Sequence, residues 1–269
     1  MQKRMSIEFY VMSTIMGVSL LVWLYRKGKR TIAWVRKVRR AFRGICFNPN
    51  STLNEERCRK IAIGALYAAQ QGAYQNSLET GIRDVLPQIL GEWWGISGTV
   101  SARKELDYLC EKGYRYYYPF LLQAFHEEDE ERQEAIFQEN MTSQEDYDKI
   151  IYLYQNLCET YDELIGCHVI SGYEDLVRLG VTGWDAGRIC FLARACYDME
   201  YISEAEAWSY IDRAYVLAHQ ECASWQDLAM SYIIGRSLWG GKEAYNSVMK
   251  STADELLSVE KSPWVRYAW

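Results

Sequence analysis

The chain has 269 residues, of which 49% are apolar and 14% aromatic, so it holds enough large side chains for one sizeable core and does not have the composition of a disordered segment. Its formal charge is −6, but nine basic residues (Arg26, Lys27, Lys29, Arg30, Arg36, Lys37, Arg39, Arg40 and Arg43) fall in one stretch without an acid, leaving the remainder strongly acidic. Nucleic-acid binding needs Lys and Arg on the folded surface to meet phosphates, and an acidic body excludes it.

Taken in chain order, residues 1–8 form a short tail, and Phe9 to Tyr25 is an uncharged run of seventeen residues. As a helix it spans about 25 Å, the short end of what crosses a bilayer. Tyr10 at one end and Trp23 with Tyr25 at the other suit the two interfaces. No small-x-small cleavage site follows, so the segment is expected to remain as a transmembrane helix over 9–25. The nine basic residues outweigh Lys3 and Arg4, which places the N-terminus outside and the C-terminal body in the cytoplasm. Residues 26–50 form a basic juxtamembrane segment and linker, in which Ile32, Trp34, Val35, Val38 and Phe42 interleave with the charges, as in a helix lying on anionic lipid headgroups; a plain stop-transfer flank is the other reading of the same residues. Ser13 and Gly17, four apart, offer a close-packing face for a weak homodimer through the span.

From residue 51 the pattern is helical. A Ser or Thr followed three residues later by an acid recurs at Thr52/Glu55, Ser143/Asp146, Ser171/Glu174, Ser203/Glu206 and Ser224/Asp227, the spacing of a capping box. Gly72, Gly113 and Gly180 stand where helices would stop. Helices are expected near 53–71, 78–90, 102–112, 115–139, 144–165, 172–179, 185–199, 204–220, 225–239 and 243–258. The fold class is all-α, a multi-helix bundle or stacked helical hairpins over 51–269, preceded by the transmembrane helix.

Eight cysteines are scattered without C-x-x-C pairs, and Cys190 and Cys196 lie in an apolar run, so they are expected as reduced core thiols. The acidic block from His126 to Glu134 is expected as a solvated helix face and not as a metal site, which needs converging ligands. The three histidines, His126, His168 and His219, fit no H-E-x-x-H or Cys-His-Asp pattern, and no Walker or dinucleotide glycine pattern occurs. No cofactor is expected.

The informative stretch is Gly183 to Gly241. It carries G-W-D-A-G-R from Gly183, a Trp-bearing helix with Trp208, then S-W-Q-D from Ser224 and G-R-S-L-W from Gly235. These motifs resemble the bacterial domain-of-unknown-function family numbered 1266, closely over about sixty residues and more loosely before them. Matching positions are Trp184, Asp185, Arg188, Arg194, Trp208, Trp225, Asp227, Ser231, Gly235, Arg236 and Trp239. Glu200 stands where the pattern would place a glycine ending the first helix. The resemblance implies no established activity, substrate or cofactor.

Trp184 and Arg188 are four apart, so a helix lays the guanidinium over the indole, and Asp185 and Arg188, three apart, can pair. Arg236 and Trp239 repeat the theme. This Asp/Arg/Trp set suits either a buried ion network or a pocket gripping a phosphate or carboxylate. Three functional readings follow: an interaction or scaffold protein tethered at the bacterial inner membrane with a protein partner; a ligand sensor or enzyme whose pocket holds Asp185, Arg188, Asp227 and Arg236; and an immunity or defence protein of bacterial conflict.

Overall fold

A computed structural model describes residues 44–269; the transmembrane span expected over 9–25 and all nine basic residues lie outside the described residues. Residues Ile45–Trp269 form one compact unit. Among the described residues it has twelve α-helices, one π-helical and one 3-10 turn, and no strand beyond a single bridge between Cys46 and Tyr74. No helix among them is long and apolar enough to cross a membrane.

The first pair, α1 (Glu55–Ala62) and α2 (Ala65–Gln71), replaces the single helix expected over 53–71. The chain turns at Ile63 and Gly64 because the Gly64 Cα lies almost against Cys190, where a Cβ would meet Sγ at 3.0 Å. The helix expected over 78–90 is instead a chain of turns leading to a π-helical segment, Gln88–Trp93. Next come α3 (Thr99–Glu111), α4 (Tyr118–His126) and α5 (Glu130–Asn140). The expectation of one helix over 115–139 fails at Glu127–Asp129, where the Asp129 carboxylate accepts from the N–H groups of Glu131 and Arg132 and starts a new helix.

The rest follows the expected pattern within a few residues: α6 (Gln144–Gly166), α7 (Tyr173–Leu179), α8 (Thr182–Asp198), α9 (Glu204–Glu221), α10 (Trp225–Gly240), α11 (Asn246–Ser258) and a final turn, α12 (Pro263–Arg266). Ser143, Ser203 and Ser224 cap their helices as the spacing predicts, and at Ser203 the Glu206 carboxylate closes a full capping box. At the other two sites the cap lies elsewhere: Asn54 starts α1 and Gly172 precedes α7.

The architecture centres on α8. Every residue from Thr182 to Cys196 is buried, as befits a helix wrapped by α2, α3, α9 and α10. The long α6 packs against α10 rather than α8. There Tyr152 Oη and Asn156 Nδ2 donate to the carbonyls of Trp239 (2.6 Å) and Leu238 (2.7 Å), two of the acceptors a helix end leaves without partners. Cys190 and Cys196 are free thiols, fully buried.

Candidate functional site

A helix buried on every side normally carries only apolar residues, yet α8 takes Asp185, Arg188 and Arg194 into the core. Taking a charge out of water costs several kcal/mol unless it is paired and hydrogen-bonded. Asp185, with no exposed surface, meets that demand from three sides. Its carboxylate accepts from the backbone N–H of Tyr114 (2.9 Å) and of Arg115 (3.0 Å), from Arg115 Nη1 (3.1 Å) and from Arg188 Nη2.

Gly113 makes this approach feasible. It ends α3 with φ +55°, a conformation that favours glycine, and a Cβ there would collide with Asp185 Oδ2. Arg115 then reaches back to donate to the carbonyls of Leu109 (2.7 Å) and Cys110 at the end of α3. Asp185 thus ties the central helix to the C-terminus of α3 and the following turn.

Arg188, 4% exposed, sits among aromatic rings. Its guanidinium carbon lies 4.5 Å from the Tyr114 ring centroid, 4.7 Å from Trp184 and 5.6 Å from Trp94. The Trp184 contact is the one the four-residue spacing predicts. Trp184 itself packs edge-on to Tyr232 (4.9 Å) and against Trp239 (6.3 Å), and it approaches α10 where Gly235 leaves room for it. Lys149 of α6 holds its ammonium 5.0 Å from the Tyr114 ring and 5.8 Å from Tyr152. Burial, reinforced by repulsion from Arg188, lowers the Lys149 pKa, while nearby Glu105 opposes the shift. Burial likewise raises the Glu105 carboxyl despite the pull of Arg188, Lys104 and Lys149. Tyr67 and Tyr108 are also pushed up by burial, with Arg188 pulling the other way.

The other predicted positions take separate places. Arg194 is wholly buried at the far end of α8, donating to the carbonyls of Tyr74 (2.5 Å), Leu78 (3.3 Å) and Glu79 (3.2 Å) and so stapling the turns before the π-helical segment. Burial lowers its pKa. Ser231 Oγ accepts from Gly183 N–H (2.9 Å) and donates to the Gly180 carbonyl (3.2 Å), locking the start of α8 to α10. Trp225 donates to the Tyr267 carbonyl (2.8 Å) and packs on Trp264 and Trp269, pinning the C-terminal tail. Arg236 donates to the Ala244 carbonyl (3.0 Å) and lies 5.5 Å from the Trp239 ring.

Asp227 does not join Asp185 and Arg188. It pairs with Arg178 (2.9 Å), which also bridges to Asp175 (3.2 Å), in a cleft of about 680 Å³ where Lys250 and Asp254 neutralise one another. The expected four-residue pocket of Asp185, Arg188, Asp227 and Arg236 is therefore split. Helix spacing says nothing about which face of α10 each residue takes: Arg236 stays near Arg188, both drawing on the Tyr67 and Tyr232 hydroxyls, while Asp227 turns to Arg178. Among the described residues no group of His, Cys, Asp and Glu is arranged to hold a metal ion.

Most positions of the Trp/Asp/Arg motifs thus build the core around α8, Trp184, Asp185, Arg188, Arg194, Ser231 and Gly235 among them, while Asp227 lies in the cleft with Arg178 and Trp208 of α9 sits at the surface under Arg57. The family model described as "Protein of unknown function (DUF1266)" matches residues 89–269, two thirds of the chain and all of these positions. The chain belongs to the DUF1266 family. No curated protein and no solved structure matches it. The DUF1266 match begins inside the π-helical segment, so besides Gly113 it takes in Trp94, Glu105, Tyr114, Arg115 and Lys149, which helix spacing and motif pattern leave unmarked. The one local signal was Gly113 as a helix stop. That its turn would receive a buried carboxylate from a helix seventy residues later has no trace in sequence spacing.

Proposed function

We propose that this DUF1266 chain is a docking protein, tethered to the membrane by residues 9–25 with its helical domain in the cytoplasm, and that it works by binding a protein partner rather than by turning over a substrate. The observation that supports this reading is the way the family's polar positions are used. Asp185, Arg115, Arg194 and Ser231 spend their hydrogen bonds on backbone groups of neighbouring elements, as struts do, and Asp227 is held in ion pairs. A general acid or base must instead reach a substrate proton within hydrogen-bonding distance. Large apolar side chains remain outside for a partner to cover, among them Trp93 (50% exposed) and Val100 (84%) around the start of α3.

The test is isolation of the full chain from its native membrane. It should stay with the membrane through an alkaline wash, place a reporter fused after Trp269 in the cytoplasm, and carry a protein at stoichiometric level. A photo-crosslinking residue at Val100 should label that protein. A chain released by the wash, a periplasmic reporter, or a chain that purifies alone at its native level overturns the reading.

A further inference from the structure

Buried hydrogen-bond donors are almost always matched by acceptors, and a cluster of unmatched ones asks for a missing group. Around Arg188 the donors outnumber the acceptors. Arg188 gives one hydrogen bond, to Asp185, and its Nε is buried without a partner among the described residues. The indole N–H of Trp184, stacked on the same guanidinium, is also buried and without a partner there. Lys149 lies over Tyr114, the ring that Arg188 also covers, and among the described residues its ammonium is in ion-pairing distance of no carboxylate. Asp185 cannot serve as the missing acceptor, because four donors already occupy it.

These donors lie just beneath the surface, beside the half-buried Lys149, rather than deep in the core. Arg188 and Trp184 come from α8, Lys149 and Tyr152 from α6, and Glu105 and Tyr108 from α3, while α3 packs on α8 and α6 packs on α10. At the rim stand Trp239 (47% exposed), Tyr152 (45%) and the half-buried Trp94. A guanidinium and an ammonium brought to one tyrosine ring repel one another, and an anion placed within reach of both would relieve them; among the described residues Glu105 lies nearby but is in ion-pairing distance of neither.

We infer that the junction of α3, α6 and α8 around Tyr114 is a binding site for an oxyanion, a phosphate or carboxylate group gripped by Arg188 and Lys149, with the aromatic rim closing over what the group is attached to. Charge-assisted bonds from an arginine and a lysine in a half-buried setting are the usual means of holding such groups. The site differs from the pocket that spacing suggests, since Asp227 lies elsewhere, paired with Arg178, and Lys149 enters from a helix outside the motif-bearing third. It stands independently of the membrane-docking reading.

The test uses the purified full chain and two probes, sodium phosphate and sodium acetate, each compared with sodium chloride at equal ionic strength, with melting temperature and tryptophan fluorescence as readouts. A bound probe raises Tm saturably, by roughly 3–6 °C at ten times its Kd. A response to phosphate marks a phosphoryl ligand, and a response to acetate alone marks a carboxylate. Lys149→Met should abolish the probe-dependent rise while raising Tm in chloride, because a like charge beside Arg188 is gone; Lys149→Arg should retain the rise. Absence of any saturable response in the natural chain overturns the inference. So does a rise that Lys149→Met keeps, which is the general effect of excluded salts on folded proteins, or a lower Tm for Lys149→Met in chloride, which makes Lys149 a strut.

Discussion

If Asp185 is the hub that joins α8 to the turn after α3, its removal must cost more than the removal of either arginine. Asp185→Ala leaves the N–H groups of Tyr114 and Arg115 without an acceptor and strands the Arg188 guanidinium in a site only 4% exposed. Breaking one side of a buried pair costs about 3–5 kcal/mol. Arg188→Ala is different, because the carboxylate keeps both backbone N–H groups and Arg115 Nη1. The loss is one charged hydrogen bond and the aromatic stacking, about 2 kcal/mol. For a domain of this size each kcal/mol moves Tm by roughly 2–4 °C. Thermal melts followed by far-UV circular dichroism should therefore place Asp185→Ala about 6–20 °C below the natural chain and Arg188→Ala about 4–8 °C below it. An Arg188→Ala loss equal to or larger than that of Asp185→Ala would refute the hub, since it would mean that the backbone donors and Arg115 do not satisfy the carboxylate.

Three further outcomes are expected. Glu200 ends α8 with φ +60°, in the left-handed region, and its ion pair with Arg83 is solvent-exposed, so Glu200→Gly should raise stability by about 1 kcal/mol in the same melts; a loss would mean the ion pair outweighs the backbone strain. Gly235→Ala should lower Tm by the equivalent of about 3 kcal/mol, because the new Cβ would collide with Trp184 Cβ and force α8 and α10 apart; an unchanged Tm would show that the interface can shift. The N–H and hydroxyl of Ser203, with Arg103, hold the Glu206 carboxyl down at about 2, from an ordinary 4.5. A depressed carboxylate stabilises the fold above its unfolded pKa and loses that contribution as pH falls through the folded one. The difference in Tm between the natural chain and Glu206→Gln should accordingly be present at pH 7 and shrink from about pH 4.5 toward 2, and a difference constant over that range would contradict the capping box.

What the sequence determined by itself is local. Helix class, the caps at Ser143, Ser203 and Ser224, the stops at Gly72, Gly113 and Gly180, the Trp184–Arg188 stacking and the Asp185–Arg188 pair all rest on residues at most four apart on one helix, so the helical period fixes them. The family motifs added membership, and Glu200 at a position suited to glycine is visible in the left-handed φ of that residue. Of the misplaced elements, the break at Asp129 has a local cause, a carboxylate that caps a new helix as readily as it continues one, whereas the turn at Gly64 is tertiary, because Cys190 presses on it from across the core. The tertiary structure alone decided the rest. Asp185 meets Arg115 across seventy residues, Lys149 reaches the ring beneath Arg188 from α6, Arg194 ends on carbonyls of the turns at 74–79, and Asp227 turns away to Arg178. Those partners depend on which helices pack on α8 and at what depth, and a buried charge takes whatever donors that packing brings within reach, which no spacing along the chain encodes.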